Sequence, residues 1–330
     1  MVPLKHLLSI LLLVVGLVGC GSSPEPSPLS GELTKVTLAL NWFPEAEHGG
    51  YYAALVNGYF KEEGLDVEIQ PGGPGVPVIQ NVATKRVMFG IANADQVLVG
   101  RNEQADVVAL LAPLQMSPRC IMVHKKSGIR RLEDLKDITL AAGSGKAYLE
   151  YLKTRVSLEN VKLVPYAGSS ALFLRDDNFA QQGYVFSEPF VARREGADPH
   201  VLMVSEIGFN PYTSLLVTHG ETITGQEDLV AKVVRASRRG WQDYLANPET
   251  VNAYIHKVNP EMDMESLRFG VEAIQPLCLP ANMPPTELGA MTMDRWQTLS
   301  DQLKEIDWLD GQLDPATAFE SRFIETVPGS

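Results

Sequence analysis

Cysteine is scarce in this chain. Three stand among 330 residues, at Cys20, Cys120 and Cys278, and no two are spaced as C-x-x-C, so dithiol redox chemistry and cysteine-paired zinc sites have no support. Histidine is also sparse. His48, His124, His200, His219 and His256 are scattered, with no H-E-x-x-H and no pair at i, i+4, which leaves a metal centre without a motif. No G-x-S-x-G elbow and no G-x-G-x-x-G fingerprint occurs, so acyl transfer on a hydrolase sheet and dinucleotide binding lack their local signatures. Basic residues are outnumbered, 28 Lys and Arg against 40 Asp and Glu for a formal charge of -12, and no basic cluster offsets this. A nucleic-acid partner is therefore excluded as an expectation.

Long apolar runs are also missing, with one informative exception. Leu7 to Val18 follows Lys5 and His6; it is too short to span a bilayer and has the length of a signal h-region. It closes on Leu17-Val18-Gly19-Cys20, which resembles the bacterial lipobox, in which the cysteine is lipidated and becomes the mature N-terminus. The alternative is an ordinary secretory signal with a chance cysteine. Ser22-Ser23-Pro24-Glu25-Pro26-Ser27-Pro28 then reads as a semi-extended tether. Residues 1–19 are thus expected to be a signal peptide and 20–33 a lipidated tether. Cys120 and Cys278 either pair in an oxidising compartment or remain buried free thiols, since both have apolar neighbours.

From Val36 onward, strands alternate with helices, which predicts an α/β fold with parallel sheets. The expected strands are Val36–Leu40, Leu65–Ile69, Met88–Ala92 and Val107–Leu111, then Ile138–Ala142, Lys162–Pro165, Gly183–Phe186 and Val201–Val204, with Leu215–Thr218 read as the return crossing. Tyr52, Leu55, Val56, Tyr59 and Phe60 make one helical stripe, and Leu229, Val230, Val233, Val234, Trp241 and Leu245 another. Segments near 113–123 and 212–220 read as crossings between two lobes, with the C-terminal helices packing back on the first. The expected partition is 34–115 with 218–330 as lobe 1 and 116–217 as lobe 2.

Candidate ligand residues gather at strand ends, where open α/β sheets bind small molecules. The stretch Asn41-Trp42-Phe43-Pro44-Glu45-Ala46-Glu47-His48-Gly49-Gly50-Tyr51-Tyr52 follows the first strand, and its aromatics either floor a cleft or plug a core. Pro71-Gly72-Gly73-Pro74-Gly75 follows the second strand, and Asn93-Ala94-Asp95 follows the third and caps the next helix. Gly143-Ser144-Gly145-Lys146 resembles the end of a P-loop, but Leu140 replaces the first glycine and Ala147 the Ser/Thr. Either an anion site at a helix N-terminus or a plain glycine turn fits it. Glu188 follows a strand among aromatics and either accepts hydrogen bonds from a ligand's amino groups or simply starts a helix.

The blocks Asn41-Trp42-Phe43-Pro44, His48-Gly49-Gly50-Tyr51, Gly58 to Val67, Pro71-Gly72-Gly73, Ser187-Glu188-Pro189 and Asn210-Pro211-Tyr212 resemble the thiamine-pyrimidine precursor family. That family includes substrate-binding proteins of ABC importers and the eukaryotic thiamine-pyrimidine synthases, and the similarity covers roughly residues 35–305. It implies a two-lobed periplasmic-binding-protein type II fold with a ligand cleft, and capture of a hydroxymethylpyrimidine or formylaminopyrimidine for delivery to an ABC permease and its ATPase. It implies that Trp42 stacks on a flat heterocycle, that Tyr51 adds an aromatic contact, and that Glu188 meets an aminopyrimidine's N–H groups. Asn41, His48, Gly72, Gly73, Asn93, Asp95, Ser144, Lys146 and Tyr212 complete the expected ligand set. The synthases carry a cysteine-rich iron motif that this chain lacks, so no catalytic residue, metal or cofactor is expected. His48 is then expected to be a hydrogen-bond donor or a helix-start residue. The resulting picture is a monomeric, exported binding protein, anchored through Cys20 on a bacterial membrane and facing the periplasm or extracytoplasmic space. Riboflavin, a sulfonate or nitrate are the alternative ligands, and a pyrimidine-processing enzyme the alternative class.

Overall fold

A computed structural model describes residues 32–281 and 283–325. The expected signal segment, Cys20 and the proline-rich run lie outside them. Ten strands occur among the described residues. β1 (Thr34–Ala39), β2 (Leu65–Gln70), β3 (Phe89–Ala92) and β4 (Val107–Leu111) come first; β5 (Arg119–His124), β6 (Thr139–Ala142), β7 (Lys162–Pro165), β8 (Phe179–Tyr184) and β9 (Pro199–Met203) follow; β10 (Leu215–His219) is last. They form two five-stranded sheets, ordered β2-β1-β3-β10-β4 and β7-β6-β8-β5-β9.

The sheets are mixed, not parallel as the alternation predicts. β1 pairs parallel with β2 and β3, whereas β10 runs antiparallel between β3 and β4. In the second sheet β6 pairs parallel with β7 and β8, and β5 runs antiparallel between β8 and β9. The physical reason lies in the crossings. Parallel neighbours need a crossover connection that carries the chain back to its starting edge. β5 and β10 instead arrive directly from the other lobe, so they start at the edge where β1, β3, β6 and β8 end. The two crossings touch one another, with Thr213 N–H donating to Leu114 O at 3.3 Å. Residues 215–217, grouped with the second lobe by the sequence partition, belong to the first sheet.

Local sequence explains most elements. β2 alternates Leu65, Val67 and Ile69 inward with Asp66 and Glu68 outward, as suits an edge strand with one wet face, whereas β4 is buried throughout. The expected stripe from Tyr52 to Phe60 is interrupted: the Gly49–Val56 helix ends before Gly58, whose φ of 83° admits glycine readily, and a short turn of helix restarts at Tyr59. β8 begins four residues earlier than the sequence suggests, because Gln181 and Gln182 are buried with their neighbours and the segment does not look apolar.

The Glu227–Ala246 helix buries the anticipated face against the first sheet and crosses the Gly49–Val56 helix at backbone contact. A Cβ at Gly240 would lie 2.2 Å from Gly50 O, and one at Gly50 2.1 Å from the Trp241 ring. That proximity sets Tyr51 edge-on to Trp241 with ring centroids 5.7 Å apart. Fully burying each such side chain contributes about 1.5–3 kcal/mol. The Met293–Glu305 helix is not confined to the first lobe. Trp296 stacks on Phe319, while Gln302 Nε2 donates to Gly208 O at 2.9 Å and Arg155 Nη2 to Glu305 Oε2 at 2.6 Å. No helix among the described residues is long and apolar enough to cross a membrane.

Candidate ligand-binding site

Where the strand ends of the two sheets face each other lies a cleft of about 800 Å³, within the range of small-molecule sites. Asn41 and Trp42 line it from the end of β1, and Asn93 and Asp95 from the end of β3. Opposite them stand Arg119, Lys146, Tyr166, Gln182, Tyr184 and Glu188. Trp308 lines it from beyond the Met293–Glu305 helix. A smaller hollow of about 430 Å³, beside Glu227 and Phe323, shares no residue with it.

Trp42 is half-buried and rests edge-on against Phe43 at 5.5 Å, leaving ring surface to the cleft. Gly72 holds it from behind. Its N–H donates to Trp42 O at 3.0 Å, and a Cβ there would lie 2.2 Å from Leu40 O. Gly72 therefore positions the tryptophan without lining the cleft, whereas Gly73 lines it.

Glu188 opens the Glu188–Arg194 helix directly after β8. Its Oε1 accepts from the Tyr166 hydroxyl at 2.9 Å and its Oε2 from Tyr184 N–H at 2.7 Å. These bonds fix the carboxylate and leave each oxygen a further lone pair for a ligand. Tyr166 is raised above the usual phenol range by burial and by Glu188.

Arg119 begins β5 and is the cross-strand partner of Tyr184. Its guanidinium lies 4.1 Å over the Tyr184 ring and 5.0 Å from the Tyr148 ring. Burial pushes both phenols up to about 12, and the Arg119 charge pulls each back. Neither an ion pair nor a side-chain hydrogen bond engages the guanidinium among the described residues, so its donors are left to the cleft.

The loop before the Ala147–Arg155 helix offers less than expected. Gly143 N–H donates to Gln182 Oε1 at 2.6 Å, the Tyr148 hydroxyl donates to the same oxygen, and Ser144 does not line the cleft. Lys146 does, as the exposed residue preceding the helix.

Besides Gly72 and Ser144, three more expected contacts lie elsewhere. Tyr51 is fully buried, and its hydroxyl donates to Ser214 O at 2.8 Å; the glycines before it seat the helix so closely that its ring turns into the core. Tyr212 is buried under the Arg295 guanidinium, 3.7 Å above its ring, and accepts from Thr292 N–H at 3.0 Å. His48 is buried as well. Its Nδ1 faces Glu45 N–H at 3.4 Å, so Nε2 carries the ring proton, 2.9 Å from Asn41 Oδ1. It orients Asn41 and does not line the cleft. Cys120 and Cys278 are buried free thiols.

Sequence reasoning missed Glu45 and Glu47, which passed there unremarked as ligand contacts within the stretch of residues 41–52. Both line the cleft. It also missed Arg119, Tyr166, Gln182, Tyr184 and Trp308. The first-residue position of Arg119 after a crossing was a usable signal; Trp308 had none. Glu45 is held well above the usual carboxylate range by burial, then by Glu47 and Glu188, with a hydrogen bond from Ser187 opposing. Asp95 is raised by burial against the pull of Gln96, Lys146 and Arg119. With Glu47, Glu103 and Glu188, five carboxyl groups thus line the cleft beside two cations, Arg119 and Lys146.

The chain is 25% identical over 333 residues to the formylaminopyrimidine-binding protein of Halalkalibacterium halodurans, covering 96% of this chain and 98% of that one. It is 22% identical to the riboflavin-binding protein RibY of Chloroflexus aurantiacus, with 97% of each covered. Its fold matches the periplasmic aliphatic sulphonate binding protein SsuA of Escherichia coli with a TM-score of 0.67 at 14% identity, over 88% of this chain and 93% of that one. The two-lobed periplasmic-binding fold is therefore shared. The profile described as NMT1/THI5 like matches residues 45–251, and the chain belongs to that family.

Proposed function

We propose that the protein is the substrate-binding component of an ABC importer. It captures a thiamine-precursor aminopyrimidine of the hydroxymethylpyrimidine or formylaminopyrimidine type and delivers it to a permease driven by its ATPase. In this reading the chain is exported, cleaved before Cys20 and held to the membrane by lipid on that cysteine. The observation that carries the ligand class is the cleft itself: the open Trp42 ring on one wall and the fixed Glu188 carboxylate on the other. A flat ring stacks on the first while its amino group donates to the second. Stacking contributes about 0.5–1.5 kcal/mol beyond area burial, and a charge-assisted hydrogen bond about 1.5–3 kcal/mol. The excess of carboxyl groups disfavours sulfonate and nitrate, which are better met by cations and N–H nests. Riboflavin is the second reading, favoured by the cleft's volume and by Tyr184 and Trp308 as further rings.

A thermal-shift panel of hydroxymethylpyrimidine, formylaminopyrimidine, thiamine, riboflavin, nitrate and taurine tests this. A ligand present at 100 times its dissociation constant stabilises by about 2.7 kcal/mol. A shift with taurine and none with a pyrimidine overturns the ligand assignment. Steady turnover of a bound pyrimidine by the purified protein overturns the binding-protein reading.

A further inference from the structure

Glu47 is the unexplained group in this cleft. Its side chain is 1% exposed, yet neither carboxylate oxygen has a hydrogen-bond partner among the described residues. The nearest donor is the Nε2 of His48, 3.1 Å from Oε1. That nitrogen carries one proton, already directed to Asn41 Oδ1, because Nδ1 is engaged with Glu45 N–H. Asp95 also has an unpartnered oxygen, but Lys146 and Arg119 act on it. The titratable groups around Glu47 are Glu45 and His48 on its own segment, Tyr51 on the following helix and Tyr184 on β8; Glu45 also feels Glu188. Beyond His48, no basic side chain lies within ion-pairing distance of it among the described residues. A buried carboxylate without donors is strongly disfavoured, and Glu47 lines the cleft together with Asn41, Trp42 and Glu45.

We infer that the ligand supplies the missing donors. Glu47 reads the charge and hydrogen-bonding edge of a cationic, nitrogen-rich ligand, accepting two parallel N–H groups from an amidinium edge. A 4-aminopyrimidine presents that edge when its ring nitrogen beside the exocyclic amine is protonated. Two carboxylate oxygens match two such donors in the bidentate geometry that carboxylates make with guanidinium. Trp42 can then face the cationic ring, an arrangement its π-system favours. This rests on the pyrimidine reading above and sharpens it: the bound species is the cation, and Glu47 selects the amine over its oxo counterpart.

The test is calorimetric titration of the full chain with three probes. They are 4-amino-5-hydroxymethyl-2-methylpyrimidine, the 4-oxo analogue lacking the exocyclic amine, and benzamidinium, which has the edge without a pyrimidine. The wild type should bind the amine and benzamidinium, and discriminate against the oxo analogue by about 10- to 100-fold. Repeating the amine titration near pH 7 in buffers of different ionisation enthalpy should show proton uptake on binding. Glu47→Gln should lose the discrimination and the uptake together, and its melting temperature without ligand should not fall. If Glu47→Gln does not fold, wild-type proton uptake and benzamidinium binding decide, because Glu188 alone would also favour the amine over the oxo form. Equal binding of amine and oxo forms by the wild type overturns the inference while leaving the pyrimidine reading standing. Benzamidinium binding that depends on Glu47, with no pyrimidine bound, keeps the inference and removes that reading. Failure of every amidinium-edged probe, or stabilisation by a divalent metal ion alone, overturns it.

Discussion

Arg119 and Tyr184 sit opposite each other on antiparallel strands, and the guanidinium of the first lies 4.1 Å over the ring of the second. The pairing places a positive charge on the wall of a cleft otherwise rich in carboxyl groups, and holds it there by stacking. An arginine held by rings keeps its N–H donors available, which one held by a carboxylate does not.

Arg119→Ala should therefore weaken ligand binding by about 10- to 100-fold, the worth of a charge-assisted hydrogen bond. Arg119→Lys should not restore it, because an ammonium lacks the planar fork and stacks poorly between two rings. Calorimetric titration of both variants checks this, and full affinity in the lysine variant would refute the stacking argument.

Trp42→Ala should lose about 0.5–1.5 kcal/mol of binding beyond the buried area, while Trp42→Phe should retain much of it. Trp241 and Trp296 are fully buried and Trp308 also lines the cleft, so ligand quenching of tryptophan fluorescence, measured in a Trp308→Phe background, should fall sharply in the alanine variant. Undiminished quenching there would place the heterocycle away from this ring.

Tyr51→Phe separates a core residue from a ligand contact. The lost hydrogen bond to Ser214 O should reduce stability by about 0.5–1.5 kcal/mol and leave affinity unchanged. Urea denaturation and titration on the same sample give both numbers; an affinity loss without a stability loss would return Tyr51 to the cleft.

Gly240→Ala should be among the costliest small substitutions, at about 1–3 kcal/mol or more, because the added carbon meets backbone atoms of the neighbouring helix. Gly225 has nothing within 4 Å of an added Cβ, and Gly225→Ala should be neutral or stabilise by about 0.4–1 kcal/mol. The difference in denaturation midpoints reads out the helix crossing directly.

Glu45 supplies a pH dependence. Its carboxyl is raised in the folded protein by burial and then by Glu47 and Glu188. A raised acid binds its proton more tightly when folded, so its contribution is fully present below the ordinary glutamate value of about 4.3 and is lost as pH rises through the folded value. Ligand-free protein should lose stability across that window, and Glu45→Gln should flatten the loss. A melting-temperature profile against pH that is unchanged by Glu45→Gln would contradict this.

The α/β class, the two crossings and most strand positions were legible in the sequence, because alternation and helical period report which face of each element is buried. The Trp42 block and Glu188 were legible for a related reason: they follow strand ends, and strand ends face the cleft. The register of the glycine-packed helix was not legible, since Gly50 and Gly240 signal a close crossing only when brought together, and that crossing sends Tyr51 into the core. Nor was the reversal of β5 and β10, which depends on where the chain re-enters each lobe. Glu45 and Glu47 stand in the sequence as two acids of a helix start, with nothing to mark them as cleft residues. Only the tertiary structure removed them from water, set Glu188 opposite, and left the oxygens of Glu47 without a donor.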